Sequence, residues 1–181
     1  MSLKRPSNLL KTLGRLWPSI LIMPFRIILY GSGGISFVHP FAFIRGKVTY
    51  GRLCEVGPLV FINAGPRGVT LGKYVQINPG TSLIGNIKVG SRTLIAPSVV
   101  IASGGHKFGR GIQPRFSGGH NEHHTVEIGE DVWIGANVLI AGNVKIGRGS
   151  VISAGCTVTQ DVPDLSLVKR NGLNPIVTEL L

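Results

Sequence analysis

Four of the five histidines in this chain fall in one span, "IASGGHKFGRGIQPRFSGGHNEHHTVEIGEDVWIG", residues 101–135. Imidazole supports two chemistries there. As ligands, His120, His123 and His124 of "HNEHH" lie three and four residues apart, and zinc accepts histidine nitrogen. As a base, a single imidazole with a pKa of about 6.5 can take a hydroxyl proton near working pH. The sequence on either side of the span decides between them.

That flanking sequence repeats every six residues. Ile128, Ile134, Ile140, Ile146, Ile152 and Val158 keep strict steps of six. An earlier block runs Leu71, Ile77, Leu83, Val89, Ile95 and Ile101, and a looser one runs Val38, Ile44, Tyr50, Val56 and Ile62. Roughly 17 hexads cover residues 38–163. Fifth positions are small or β-branched (Val132, Val138, Val144, Ser150, Cys156, Val162), and second positions include Gly129, Gly135, Ala141 and Gly147. An aliphatic first residue and a small fifth one both face inward, and the strand bends near the small second residue. Three hexads then make one triangular coil, and stacked coils bury a continuous aliphatic column. Cys54 and Cys156, both at fifth positions, read as small core residues.

The stretch "VEIGEDVWIGANVLIAGNVKIGRGSVISAGCTVTQDVP" resembles the hexapeptide-repeat acyltransferases, in particular the galactoside, maltose and polysaccharide O-acetyltransferases. The resemblance covers residues 38–163 and is most specific over 71–163. It implies an all-β chain, a left-handed parallel β-helix, and a homotrimer holding acetyl-CoA in clefts between neighbouring coils. Handedness comes from the resemblance and not from the hexads.

The repeat breaks twice. Three extra residues in "PRGVT" delay the hexad after Ile62 until Leu71, which reads as a bulged corner. After Ile101 the next hexad begins only at Ile128, so 21 residues, Lys107 to Glu127, leave the coil directly after His106. A solenoid gains no packing from such an excursion, and long loops on rigid scaffolds commonly carry function. In the resembling family a histidine at the mouth of this loop is the general base, which assigns that role to His106. The zinc alternative looks to the gamma-class carbonic anhydrases, whose three histidines come from two subunits. They need a ligand a coil or two upstream, and this chain has no histidine between His39 and His106. No metal is expected.

Other roles follow from the resemblance residue by residue. Asn78 matches an acceptor-contacting asparagine, with a corner asparagine held by its own backbone as the alternative. It lies 28 residues before His106, not a multiple of 18, so the two do not share a corner. They meet only if the loop folds back or the site spans two subunits. Trp133, an outward sixth position, matches a tryptophan beside the acetyl and pantetheine end, and an interface would also cover it. Ala136 and Ala154 match positions whose backbone N–H groups bind the thioester carbonyl and the pantetheine arm. The match then weakens: Gln160 stands where the family often has a basic residue, and the ending is "NGLNPIVTELL". Lys169 and Arg170 are the candidates for the coenzyme phosphates.

The 26 glycines in 181 residues are about twice average usage and fit short strands with tight corners. Nineteen Lys+Arg against eight Asp+Glu give a net charge of +11, suited to an anionic membrane surface or a polyanionic cofactor. No long basic run or zinc-finger pattern points to nucleic acid. Residues 1–37 read as an apolar and basic segment, helical over residues 4–30 with Leu9, Leu10, Leu13, Leu16 and Trp17 on one side. Pro18, Pro24 and Arg26 interrupt it, leaving it too short to span a bilayer, and no small-x-small site follows as in a signal peptide. It either packs on protein or rests on anionic lipid. Residues 38–163 are then the catalytic β-helix and residues 164–181 a tail. With two cysteines in no redox or metal motif, a cytoplasmic setting is expected, peripheral to the membrane if residues 4–30 touch it.

The function expected is acetyl transfer from acetyl-CoA to a hydroxyl of a sugar or glycan. An N-acetyltransferase of an amino-sugar nucleotide, a carbonic anhydrase-like zinc protein and a non-catalytic solenoid are the competing readings.

Overall fold

The computed structural model describes residues 27–31, 34–106, 109–113, 115, 123–171 and 174–180, and the chain is a left-handed parallel β-helix. Its first face stacks Val38, Val56, Ile77, Ile95, Ile134, Ile152 and Val168 in register, giving about seven turns. The second face stacks Ile44, Ile62, Leu83, Ile101, Ile140 and Val158. The third stacks Tyr50, Leu71, Val89, Ile128, Ile146 and Val162. The aliphatic first positions form the core: Ile62, Ile95, Ile101, Ile134, Ile140 and Ile152 are wholly buried. At about 0.8 kcal/mol per buried methylene, these columns hold the coils together.

Small fifth positions serve a second purpose. Where they are polar, the hydroxyl bonds a corner carbonyl: Ser36 donates to Gly51 at 2.7 Å, Thr93 to Gly129 at 3.0 Å, and Ser150 to Pro163 at 2.8 Å. Buried polar groups on these columns are thereby satisfied.

The corners differ. At the third corner, which leads from the third face to the next coil, Gly51, Gly72, Gly90, Gly129 and Gly147 stack backbone on backbone. A Cβ on Gly129 would lie 2.7 Å from the Arg148 nitrogen, and one on Gly72 2.6 Å from that of Ser91. The first and third corners turn through a left-handed fourth residue, often not glycine, such as Leu53, Tyr74, Arg92 and Asp131, or Leu59, Ser98 and Asn137. The second corner turns through a third-position glycine, Gly46, Gly85 or Gly142, with φ between 88° and 104°. Both breaks in the repeat lie at this second corner, in the coils where the third position is Ala64 or Ser103.

Three expectations change. Val162, expected in a fifth position, bridges Ile146 and so takes the first position of the third face. Only three residues separate it from Val158, so the last second corner is two residues short. The chain therefore stays in the coil beyond 164: Ser166–Asn171 joins the first face beside Val151–Ile152, then Asn174–Glu179 folds back antiparallel. At the other end Ile27–Gly31 is a strand, antiparallel to Gly34–Val38, where a helix was expected. Its β-branched and aliphatic run pairs with a sheet edge, and that tertiary partner outweighs a helical spacing. Residues 4–26 of the expected helix lie outside the described residues.

Candidate active site

The first corner collects most of the expected site. Its third positions are Pro40, Pro58, Pro79, Pro97, Ala136 and Ala154, and each turn closes on the coil beside it. Asn137 N–H donates to Pro97 at 3.2 Å and Gly155 N–H to Ala136 at 2.9 Å. Four of these six positions have no N–H at all. At the other two, the N–H groups of Ala136 and Ala154 donate to no acceptor among the described residues. Small side chains leave them open, Ala136 half-buried and Ala154 exposed. Two adjacent free donors on a rigid corner suit a carbonyl oxygen that gains negative charge.

Trp133 precedes this corner on the outer side of the first face, between Leu94 and Val151, and is 52% exposed. One coil beyond Ala154, the Arg170 guanidinium reaches the Gly155 turn, 4.0 Å from where a Cβ would stand. Lys169 is exposed beside it. Trp133, Ala136, Ala154 and Arg170 thus form a row along one corner, at about 4.8 Å per coil. Asn78 occupies the same corner two coils before Ala136, but its amide is engaged. Its Nδ2 donates to the Ile95 carbonyl at 2.8 Å, and its Oδ1 lies 3.4 Å from the Gln76 amide nitrogen. That geometry favours the backbone-held alternative.

His106 sits elsewhere. It follows Ser103 at the second corner and is exposed. The whole second face, on the order of 15 Å for its five or so residues, separates it from the row at the first corner. Within one chain, Asn78 and His106 do occupy different corners. Of the other histidines, His123 is exposed, His124 is half-buried and His120 lies outside the described residues. Among the described residues no three His, Cys, Asp or Glu side chains converge on a point that would hold a metal.

Sequence reasoning overlooked the device that fixes the mouth of the excursion. Asn86, 1% exposed, touches both insertions of the second corner, the bulge and the excursion. Its N–H donates to Ser103 Oγ at 2.7 Å, where the chain departs. Its Nδ2 donates to the His124 carbonyl at 3.0 Å, where the chain returns. Its Oδ1 accepts the Arg67 N–H at 2.9 Å, inside the bulge. On the far side, Asn143 Oδ1 accepts the Thr125 N–H at 2.9 Å. Two asparagines at fourth positions therefore clamp the returning strand. The signal was available: each is the fourth residue of a second-corner hexad, in the coils flanking the insertion.

Electrostatics elsewhere are structural. Arg92 bonds Asp131 at 2.7 and 2.8 Å and Glu130 at 2.7 Å, tying coils 39 residues apart in sequence. The guanidinium holds the Asp131 carboxyl below its usual range. Burial pushes both cysteine thiols up, as expected of core residues.

Comparison with known proteins agrees with this geometry. Residues 125–160 match the family described as bacterial transferase hexapeptide (six repeats). A galactoside O-acetyltransferase from Lactococcus lactis subsp. lactis (strain IL1403) is 34% identical over 116 residues, 63% of this chain and 55% of that protein. A bifunctional protein GlmU from Anaplasma marginale (strain Florida) is 31% identical over 73% of this chain and 26% of its own length. The chain thus spans about half the length of the first relative and about a quarter of the second. Among solved structures, a hexapeptide-repeat acetyltransferase from Vibrio cholerae O1 biovar eltor, complexed with acetyl coenzyme A, has 27% identity and a TM-score of 0.63. The match covers 74% of this chain and 70% of that one. An N-acyltransferase from Bacillus cereus, in complex with dTDP and 3-hydroxybutyryl-CoA, shares the fold at 20% identity and a TM-score of 0.66, over 80% and 79% of the two chains.

Proposed function

We propose that this hexapeptide-repeat protein is an acetyl-CoA-dependent O-acetyltransferase acting on a sugar or glycan hydroxyl, with each site shared between subunits of a homotrimer. The observation that carries the reading is the pair of free N–H groups of Ala136 and Ala154, in a column otherwise built of proline. Acetyl-CoA extends along the first corner, with the thioester beside Trp133 and Ala136, the pantetheine arm at Ala154 and the phosphates near Lys169 and Arg170. Asn78, or the backbone it fixes, borders the acceptor. His106 of a neighbouring subunit completes the site, because within one chain the second face separates it from this row.

His106 removes the acceptor hydroxyl proton as that oxygen attacks the thioester carbonyl carbon. The new C–O bond gives a tetrahedral oxyanion, stabilised by the corner N–H donors. The oxyanion then collapses, the C–S bond breaks, and His106 returns the proton to the leaving thiolate.

The test is a screen of acceptor sugars for free-thiol release, with His106→Ala alongside. Loss of about a hundredfold or more in turnover, with coenzyme binding kept, supports the role of His106, and near-normal transfer excludes it. Preference for an amino-sugar nucleotide would replace the O-acetyl reading with the N-acetyl one. A protein that binds no coenzyme would be a non-catalytic solenoid.

A further inference from the structure

Independently of the catalytic reading, we infer that the N-terminal end of the β-helix docks on an anionic lipid surface through its second face. The first two coils carry apolar side chains where the fold does not require them. Along the first corner, fourth positions run Phe41, Leu59, Gly80, Ser98 and Asn137, and on the second face, sixth positions begin Phe43, Phe61 and Ser82. Later coils place glycine, serine or asparagine in the first-corner slots, and Val100, Leu139 and Thr157 follow Ser82 in the second-face slots, so neither slot needs an aromatic residue. Phe41, Phe43 and Leu59 are 61–63% exposed and Phe61 is 41% exposed. They are contiguous: Phe43 pairs with Phe61, and Leu59 N–H donates to the Phe41 carbonyl at 3.0 Å. The His39 ring leans on Phe41 at 5.4 Å and supports it. An exposed apolar patch of this kind marks a docking surface.

Charge identifies the occupant. Phe43 and Arg45 lie two apart on one strand, so both point outward. Lys47 and Arg67 are exposed at the adjoining second corner, beside each other across coils. Fifteen of the nineteen Lys+Arg but one of the eight Asp+Glu fall in residues 1–121. Of these, Arg45, Lys47, Arg52, Arg67 and Lys73 lie in the first coils, where Glu55, on the first face, is the one acid, so the end of the rod that bears the phenylalanines is positive. Aromatic side chains bordered by cations match an interface of acyl chains beneath anionic headgroups.

The experiment is co-sedimentation of the full chain with phosphatidylglycerol-rich vesicles and with pure phosphatidylcholine vesicles. Solution mass and melting temperature are measured on the same proteins. The wild-type protein is expected to bind the anionic vesicles and to release with salt. The double variant Phe43→Ser/Phe61→Ser should partition at least about tenfold less, with mass and melting unchanged. The triple variant Arg45→Gln/Lys47→Gln/Arg67→Gln should lose roughly fivefold per cation on anionic vesicles only. All variants keep residues 1–26, so undiminished binding by both would assign lipid contact to that segment and overturn the proposal. Absence of wild-type binding would also overturn it. So would a fall in solution mass on Phe→Ser substitution, because the patch would then be a contact between subunits.

Discussion

The second and third corners of the coil solve the same turning problem in opposite ways. At the third corner five stacked glycines bring backbones together so closely that no Cβ fits, and no length change occurs there. At the second corner the turn is made by isolated glycines, and all three length changes of the repeat gather there. These are the three-residue bulge, the 21-residue excursion and the two-residue shortening before Val162. The proposed base, His106, stands where the backbone is free to leave. The second corner tolerates departure because side chains, rather than backbone contact, close it: Asn86, Ser103 and Asn143 replace the missing turn hydrogen bonds.

The largest effect is expected where there is no tolerance. Gly129→Val places a branched side chain against the Arg148 backbone. It should cost more than about 4 kcal/mol and abolish cooperative melting. The equivalent change at the second corner, Gly142→Val, meets no atom within 4 Å and is strained only by its φ of 104°. It should cost about 1–3 kcal/mol by the same melts. Equal losses would dissolve the distinction between the corners.

The first corner offers a cleaner separation of fold from activity. Ala136→Pro copies Pro97, which stands in the same column with the same turn hydrogen bond. The melt should be retained while acetyl transfer falls about a hundredfold or more, through loss of one N–H donor. Unchanged transfer would remove Ala136 N–H from the site.

Next in size, Asn86→Ala removes the side-chain hydrogen bonds to Arg67 and His124 from a buried position and should cost about 2–3 kcal/mol. Asn143→Ala, which releases a single bond, should cost about 1 kcal/mol. Limited trypsin digestion should cut at Arg110 and Arg115 sooner in the first variant than in the second, with the coils intact. Similar digestion of both would mean that the two asparagines do not clamp the loop unequally.

The smallest effect concerns Tyr50, which takes the first position on the third face where later coils have aliphatic residues. Its hydroxyl is buried without a hydrogen-bond partner among the described residues, and burial, with a smaller contribution from Cys54, pushes its pKa up to about 12. The unfolded phenol ionises at about 10. Below that pH both states are protonated and stability is level. Between about 10 and 12 the unfolded state loses its proton first, so stability falls. Melts of Tyr50→Phe should lack this alkaline decline and match or slightly exceed the wild type at neutral pH.

Periodicity revealed the fold because first positions must be aliphatic wherever a coil stacks, so Ile128 to Val158 announce the core by spacing alone. The place of His106 at a break was legible for the same reason, as was its separation from Asn78 by a non-integral number of coils. Val162 was misplaced because a shortened corner changes the count without changing residue type. Asn86 and Asn143 were overlooked because a corner asparagine looks the same whether it caps its own turn or clamps a strand distant in sequence. The row from Trp133 to Arg170 needed the structure too, since the last coil reaches the first corner only after that shortening.

The sequence by itself determined the repeat, the inward columns and the two insertions, all of which follow from local residue type and spacing. Only the tertiary structure decided which corner each polar residue occupies, which N–H groups remain free and how the phenylalanines of the first two coils join Arg45, Lys47 and Arg67 on one surface. Those depend on the register of stacked coils, a sum over every insertion before them, which no local pattern records.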